Sequence, residues 1–106
     1  MEQEQKQPIY RFRLNRSKNK IQVTKFDDWE IKSNRWGYIF YVCYTENRKH
    51  QTSFGITQLD KMFNNTVYSH NPDIMYARDI MIEALNLKVE NLKKEIDSIY
   101  TTMHSI

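Results

Sequence analysis

Glycine and proline are scarce in this chain, with two of each, and there is a single cysteine. So few glycines leave no phosphate-cradling loop, because Gly37 and Gly55 stand alone in no glycine-rich pattern. One thiol, Cys43, excludes an internal disulfide and points to a reducing compartment. No apolar run approaches the ~18 residues that a membrane-spanning helix needs. Met1 to Gln7 is polar, unlike a signal peptide. A soluble, cytoplasmic protein with no membrane partner is expected. Catalytic patterns are missing too. His50, His70 and His104 are scattered over two turns and a helix end, without metal-ligand spacing. Cys43 sits inside an apolar strand, where a buried, inert thiol is the expectation. No nucleophile elbow or triad order is visible. Neither an enzymatic activity nor a metal nor a cofactor is expected.

What the chain does have is a bias and an asymmetry. Its 106 residues make one domain with a single modest core. Ile, Lys, Asn and Tyr supply 37 of them, all residues with A/T-rich codons, so the bias reflects an AT-rich genome more than a physical need. The net charge of +3 is unevenly spread: residues 1–70 carry twelve Lys/Arg against seven acids, and residues 71–106 four against six. An anionic partner, if there is one, belongs to the front part.

Residues 1–8 read as a disordered tail. From Ile9 the chain alternates, with Tyr10, Phe12 and Leu14 on one side and Arg11 and Arg13 on the other, a half-buried strand with a cationic outer face. Asn15 to Asn19 is a hairpin turn. Lys20 to Lys25 resumes the alternation, Asp27-Asp28 interrupts it, and Trp29 and Ile31 restart it, giving either one long bent strand or two short ones. Gly37 to Thr45 is apolar on both sides, which predicts a central strand covered by a helix on one face and by sheet or a partner on the other. Gln51 to Ile56 pairs back. Thr57 to Asp60 resembles a capping box that predicts a short helical turn burying Leu59, Met62 and Phe63. Val67 to Ser69 reads as a last strand.

Asn71 then fits an N-cap, Pro72 the first helical position and Asp73 the positive end of the dipole, and nothing breaks the chain afterwards. The apolar residues of this helix are crowded from Ile74 to Leu87, enough to cover a sheet. Running through and beyond them is a seam in steps of three and four: Ile82, Leu85, Val89, Leu92, Ile96, Ile99, Met103 and Ile106. A 3.5-residue period makes a stripe too narrow for a globular core but suited to a partner helix. The stripe either pairs with another helix or folds back on the chain's own sheet, and pairing into a homo-oligomer is the expectation. In a parallel pair Lys88 would face the partner's Lys93, which favours an antiparallel or higher-order arrangement. Isoleucine at both Ile96 and Ile99 also suits more than two helices, and the stoichiometry stays open.

Eight cations lie within 25 residues: Arg11, Arg13, Arg16, Lys18, Lys20, Lys25, Lys32 and Arg35. Aromatics, Trp36 among them, are interleaved. Such a surface suits phosphate contacts and base stacking, although cations also keep sheet faces solvated and guard edges. Asp27, Asp28 and Glu30 read as a solvated turn beside Lys25 and Lys32 rather than a cation site.

Leu59-Asp60-Lys61, Val67-Tyr68-Ser69, Pro72-Asp73 and Ala77, leading into Leu92, Glu95 and Ile96, resemble small proteins encoded by phages and other mobile elements of AT-rich Gram-positive bacteria. In those, a short β-sheet or barrel precedes a long terminal helix. The resemblance implies an accessory factor, in the host cell cytoplasm, that binds a host or phage protein such as a defence component, a role that inhibition would fit. It carries over no catalytic residue. The expected fold is α+β: an antiparallel sheet or small barrel of four or five strands over residues 9–70, then a helix over 71–106 that docks on the sheet and continues as a coiled coil. The expected role is non-enzymatic, oligomeric protein binding; a nucleic-acid-binding regulator is the alternative, and a sponge for an anionic nucleotide a third.

Overall fold

A computed structural model of the chain describes residues 6–104. The α+β class is as expected, with seven short strands followed by one helix. The strands are β1 (Ile9–Asn15), β2 (Lys20–Phe26), β3 (Asp28–Ser33), β4 (Ile39–Tyr44), β5 (Gln51–Gly55), β6 (Met62–Phe63) and β7 (Thr66–Ser69), and the helix α1 is Ile74–His104. They form two antiparallel sheets, one in the order β2-β1-β7-β6 and the other β3-β4-β5.

Local chemistry sets the corners. In the β1–β2 loop the Asn15 carboxamide oxygen accepts from the Ser17 hydroxyl at 2.8 Å, and Asn19 takes a positive φ of 50°. Asn64 and Asn65, both left-handed, make the two-residue β6–β7 turn, a conformation asparagine tolerates well. The Asp27 bend is where the chain leaves one sheet for the other, so the broken alternation marks two strands in different sheets.

Three layers result. The four-stranded sheet is the middle one, because alternate residues of β1 point to opposite sides. Ile9 packs with Phe26, Tyr41, Cys43 and Phe54 between the two sheets. Phe12 packs with Val67, Ala77 and Met81 beneath the helix. An aromatic run ties the sheets: Trp29 meets Tyr41 edge-on at 5.3 Å, Tyr41 stacks on Phe54 at 5.0 Å, and Phe54 stacks on Tyr68 at 4.1 Å. Such ring pairs add to the burial itself.

Four expectations are corrected. The helix covers β1 and β7, not β4; the second face of β4 is instead screened by long charged side chains, with the Arg48 guanidinium over Tyr44 at 4.4 Å and the Tyr44 hydroxyl donating to Glu30. The short helical turn falls at Ile56–Gln58, while Met62 and Phe63 enter a strand and Phe63 is exposed. The helix starts two residues late: Asp73 is the cap, its carboxylate accepting from the Met75 amide at 2.9 Å, and Asn71 supports Asp73 in turn. Of the expected tail 1–8, residues 1–5 lie outside the described residues, and Lys6 and Gln7 are tethered to the body. Lys6 donates to the Trp29 carbonyl at 2.8 Å, and the Gln7 carbonyl accepts from the Trp29 indole at 2.8 Å. Apolar periodicity gives no sign of these polar tethers.

Candidate functional site

The helix uses little of itself to hold the body. Ala77 and Met81 are buried and Ile80, Ala84 and Leu85 half-buried; every residue from 86 to 104 is exposed. Along the predicted seam, Ile82 is exposed and Leu85 half-buried at the body. Val89, Leu92, Ile96, Ile99 and Met103 then expose 48–63 % of their surface to solvent. Ile106 lies outside the described residues. The alternative in which the stripe folds back on the sheet is therefore not adopted. The molecule measures 71 × 37 × 26 Å, its long axis far exceeding the body's width.

The cations do not share one surface. Register places Arg11, Arg13 and Lys20 on the same face of the β1–β2 hairpin, alongside Thr24 and Gln22. Arg11 lies over the Phe26 ring at 5.4 Å, where the second sheet ends its cover, and Arg13 and Lys20 are exposed beyond it. Arg16 and Lys18 are in the adjoining loop. Lys25 is on the opposite face and pairs with Asp27 at 3.5 Å, while Lys32, on the other sheet, pairs with Glu30 at 3.5 Å. Arg48 reaches Asp28 at 3.3 Å, so these acids are engaged in solvated ion pairs. Arg35 stacks on Trp36 at 4.5 Å in the β3–β4 turn.

That turn carries a feature the alternation did not reveal. Trp36 and Tyr38 are each 70 % exposed, and Ile31 and Ile39, on the face β3 and β4 turn toward the other sheet, are about half exposed. The three-stranded sheet thus overhangs its neighbour. Period two assigns a residue to a face but says nothing of where the covering layer stops.

No family model matches the chain, and no curated protein or solved structure matches it significantly.

Among the described residues no group of three or more His, Cys, Asp or Glu side chains is placed to hold a metal ion. No helix of the described residues is long and apolar enough to cross a membrane. Cys43 is buried, and desolvation pushes its thiol up to about 12, far from thiolate chemistry at neutral pH. The sequence also gave no sign of Ser69, which is buried and donates to Asp60 at 2.5 Å. Tyr76, at the start of α1, has its phenol raised by desolvation and by the neighbouring Asp60 carboxylate. This small network ties the first turn of α1 to the end of β7.

Proposed function

We propose that the protein is a non-enzymatic binding protein that assembles through its helix and acts on a host or phage protein in the cytoplasm. The observation that carries the assembly is the exposure of the seam from Val89 to Met103. A second physical point supports it. Helical residues 89–104 belong to neither core, and an isolated helix of that length is marginal in water, so a partner helix would supply the missing stabilisation. The overhanging β3–β4 hairpin, with Trp36 and Tyr38 at its tip, offers an apolar, aromatic surface of the kind enriched in protein interfaces. Sedimentation of the wild-type chain at tens of micromolar tests the assembly, and a monomer there would end it.

One observation favours a second reading. Arg11, Arg13 and Lys20 share a strand-pair face on which β1 and β2 place no acid. A nucleic-acid-binding regulator would use that face for phosphate contacts, and its binding would weaken steeply with salt, whereas a mostly apolar protein contact would not.

A further inference from the structure

We infer that two copies pair their helices antiparallel, in the register that sets Lys88 of one protomer against Glu95 of its partner. This rests on the proposed self-association and specifies its geometry. In heptad terms Ile82, Val89 and Ile96 occupy one seam position and Leu85, Leu92 and Ile99 the other. The flanking sites before the first kind are Lys88 and Glu95, and those after the second are Asn86, Lys93 and Tyr100. Parallel pairing brings Lys88 against the partner's Lys93 twice and offers no opposite charges. Antiparallel pairing matches like flanks with like. Successive heptad slides keep the seam in step there, and three of them set the charged flanks Lys88, Lys93 and Glu95 against one another. Setting Leu92 against the partner's Ile96 opposes Glu95 to Glu95 and Lys93 to Lys93. Sliding by two heptad steps, to Ile82 against Leu92, opposes Lys88 to Lys88. Between them, Val89 against Leu92 and Ile82 against Ile99 puts Lys88 beside Glu95 at both ends and Asn86 beside Lys93.

The body strengthens the choice. A recess of about 450 Å³ opens where the helix leaves the sheet, lined by Arg16, Asn64 and Asn65 on one side and Ala84, Leu85 and Lys88 on the other. Its lining has two cations and no acid. The Arg16 guanidinium already reaches across to the Asn65 carboxamide at 3.2 Å. In the inferred register the partner's Glu95 arrives on the Lys88 flank of the seam, beside this recess, so its carboxylate approaches both cations. Charge complementarity of this kind sets orientation more than affinity.

The test is charge reversal read by sedimentation equilibrium at low salt. Lys88→Glu alone, and Glu95→Lys alone, each weaken the dimer roughly tenfold, because two attractive pairs become repulsive. The double variant returns to within about threefold of the wild type. Tightening by Lys88→Glu would indicate the parallel arrangement and overturn the inference. Cysteine trapping gives an independent reading. Ile99→Cys chains alone do not cross-link, whereas Ile99→Cys mixed with Ile82→Cys forms a disulfide dimer. Efficient self-linking through Ile99→Cys, or a wild-type tetramer, defeats the inferred geometry and leaves self-association standing, while a wild-type monomer defeats both.

Discussion

Aspartate at Leu92 and Ile96 is the sharpest perturbation of the proposed assembly. In the single chain the two side chains are 49 % and 52 % exposed. Full burial of such a side chain is worth ~1.5–3 kcal/mol, so covering the exposed half contributes ~1 kcal/mol. In the inferred register the seam residues from Ile82 to Ile99 are covered on both protomers, roughly 12 kcal/mol in all. Set against the lower end of the association cost, about 4 kcal/mol, the net of ~8 kcal/mol corresponds to a Kd of about 1 µM. The two substitutions remove four such contacts per dimer, ~4 kcal/mol, which raises the Kd about a thousandfold. Desolvating the new carboxylates adds to that loss. Sedimentation velocity at tens of micromolar should therefore find the wild type dimeric and the double variant monomeric. Neither residue belongs to a core, so the body keeps its fold, while far-ultraviolet dichroism loses helix signal as the unsupported end frays. A variant that remains dimeric would refute the reasoning.

The remaining predictions concern the body. Burial holds the Cys43 thiol up to about 12, above its unfolded value near 8.5, so the native state keeps a proton that the unfolded chain loses. The contribution is constant below about pH 8.5 and then falls by up to ~1.4 kcal/mol per pH unit as pH rises toward the folded value. Urea unfolding across pH 8 to 11 should show a shallower alkaline decline in Cys43→Ala than in the wild type, and parallel declines would refute this. Arg11→Glu with Arg13→Glu should abolish any retention of DNA or RNA on a column while leaving sedimentation unchanged; retention that survives the pair removes the nucleic-acid alternative. Trp36→Ala with Tyr38→Ala should leave stability within about 0.5 kcal/mol per site, since both rings are exposed. The same variant should lose protein partners captured from the native host with nuclease present, and undiminished capture would clear the hairpin of that role.

What was legible in the sequence was whatever one residue and its near neighbours decide. Alternation at Tyr10, Phe12 and Leu14 identified β1 and the side on which those three lie, though not that the helix covers it. The heptad steps identified the exposed stripe. What was illegible depends on which surfaces meet. Gly37 to Thr45 announced a strand apolar on both faces, yet on one face it is the Arg48 guanidinium that lies over the Tyr44 ring, while Glu30 accepts from the Tyr44 hydroxyl. Solvated ions with apolar stems can do the work expected of a second layer. The cations between Arg11 and Arg35 looked like one surface in linear order. The change of sheet at Asp27 divides them; the interrupted alternation there marks a break, but nothing local says that the two strands join different sheets.

The relation between body and helix follows from lengths alone. Strands of two to seven residues at about 3.3 Å each give the middle sheet an edge of roughly 20 Å. The 31-residue helix, at about 1.5 Å per residue, runs roughly 46 Å. More than half of it therefore has nothing of its own chain to lie on. The side-chain pattern changes where that contact ends: apolar residues are crowded up to Leu87, and from Lys88 onward they keep the heptad steps, with Tyr100 the exception. A helix whose sole task was to cover Phe12 and Val67 would have no reason to continue past that point, nor to keep seam residues in step while solvent surrounds them. The inferred antiparallel partner resolves both at once. It would cover the seam from Leu85 to Ile99 and bring its own distal half to the recess beside Arg16, so that each copy's helix would cover a stretch the other's body is too short to reach.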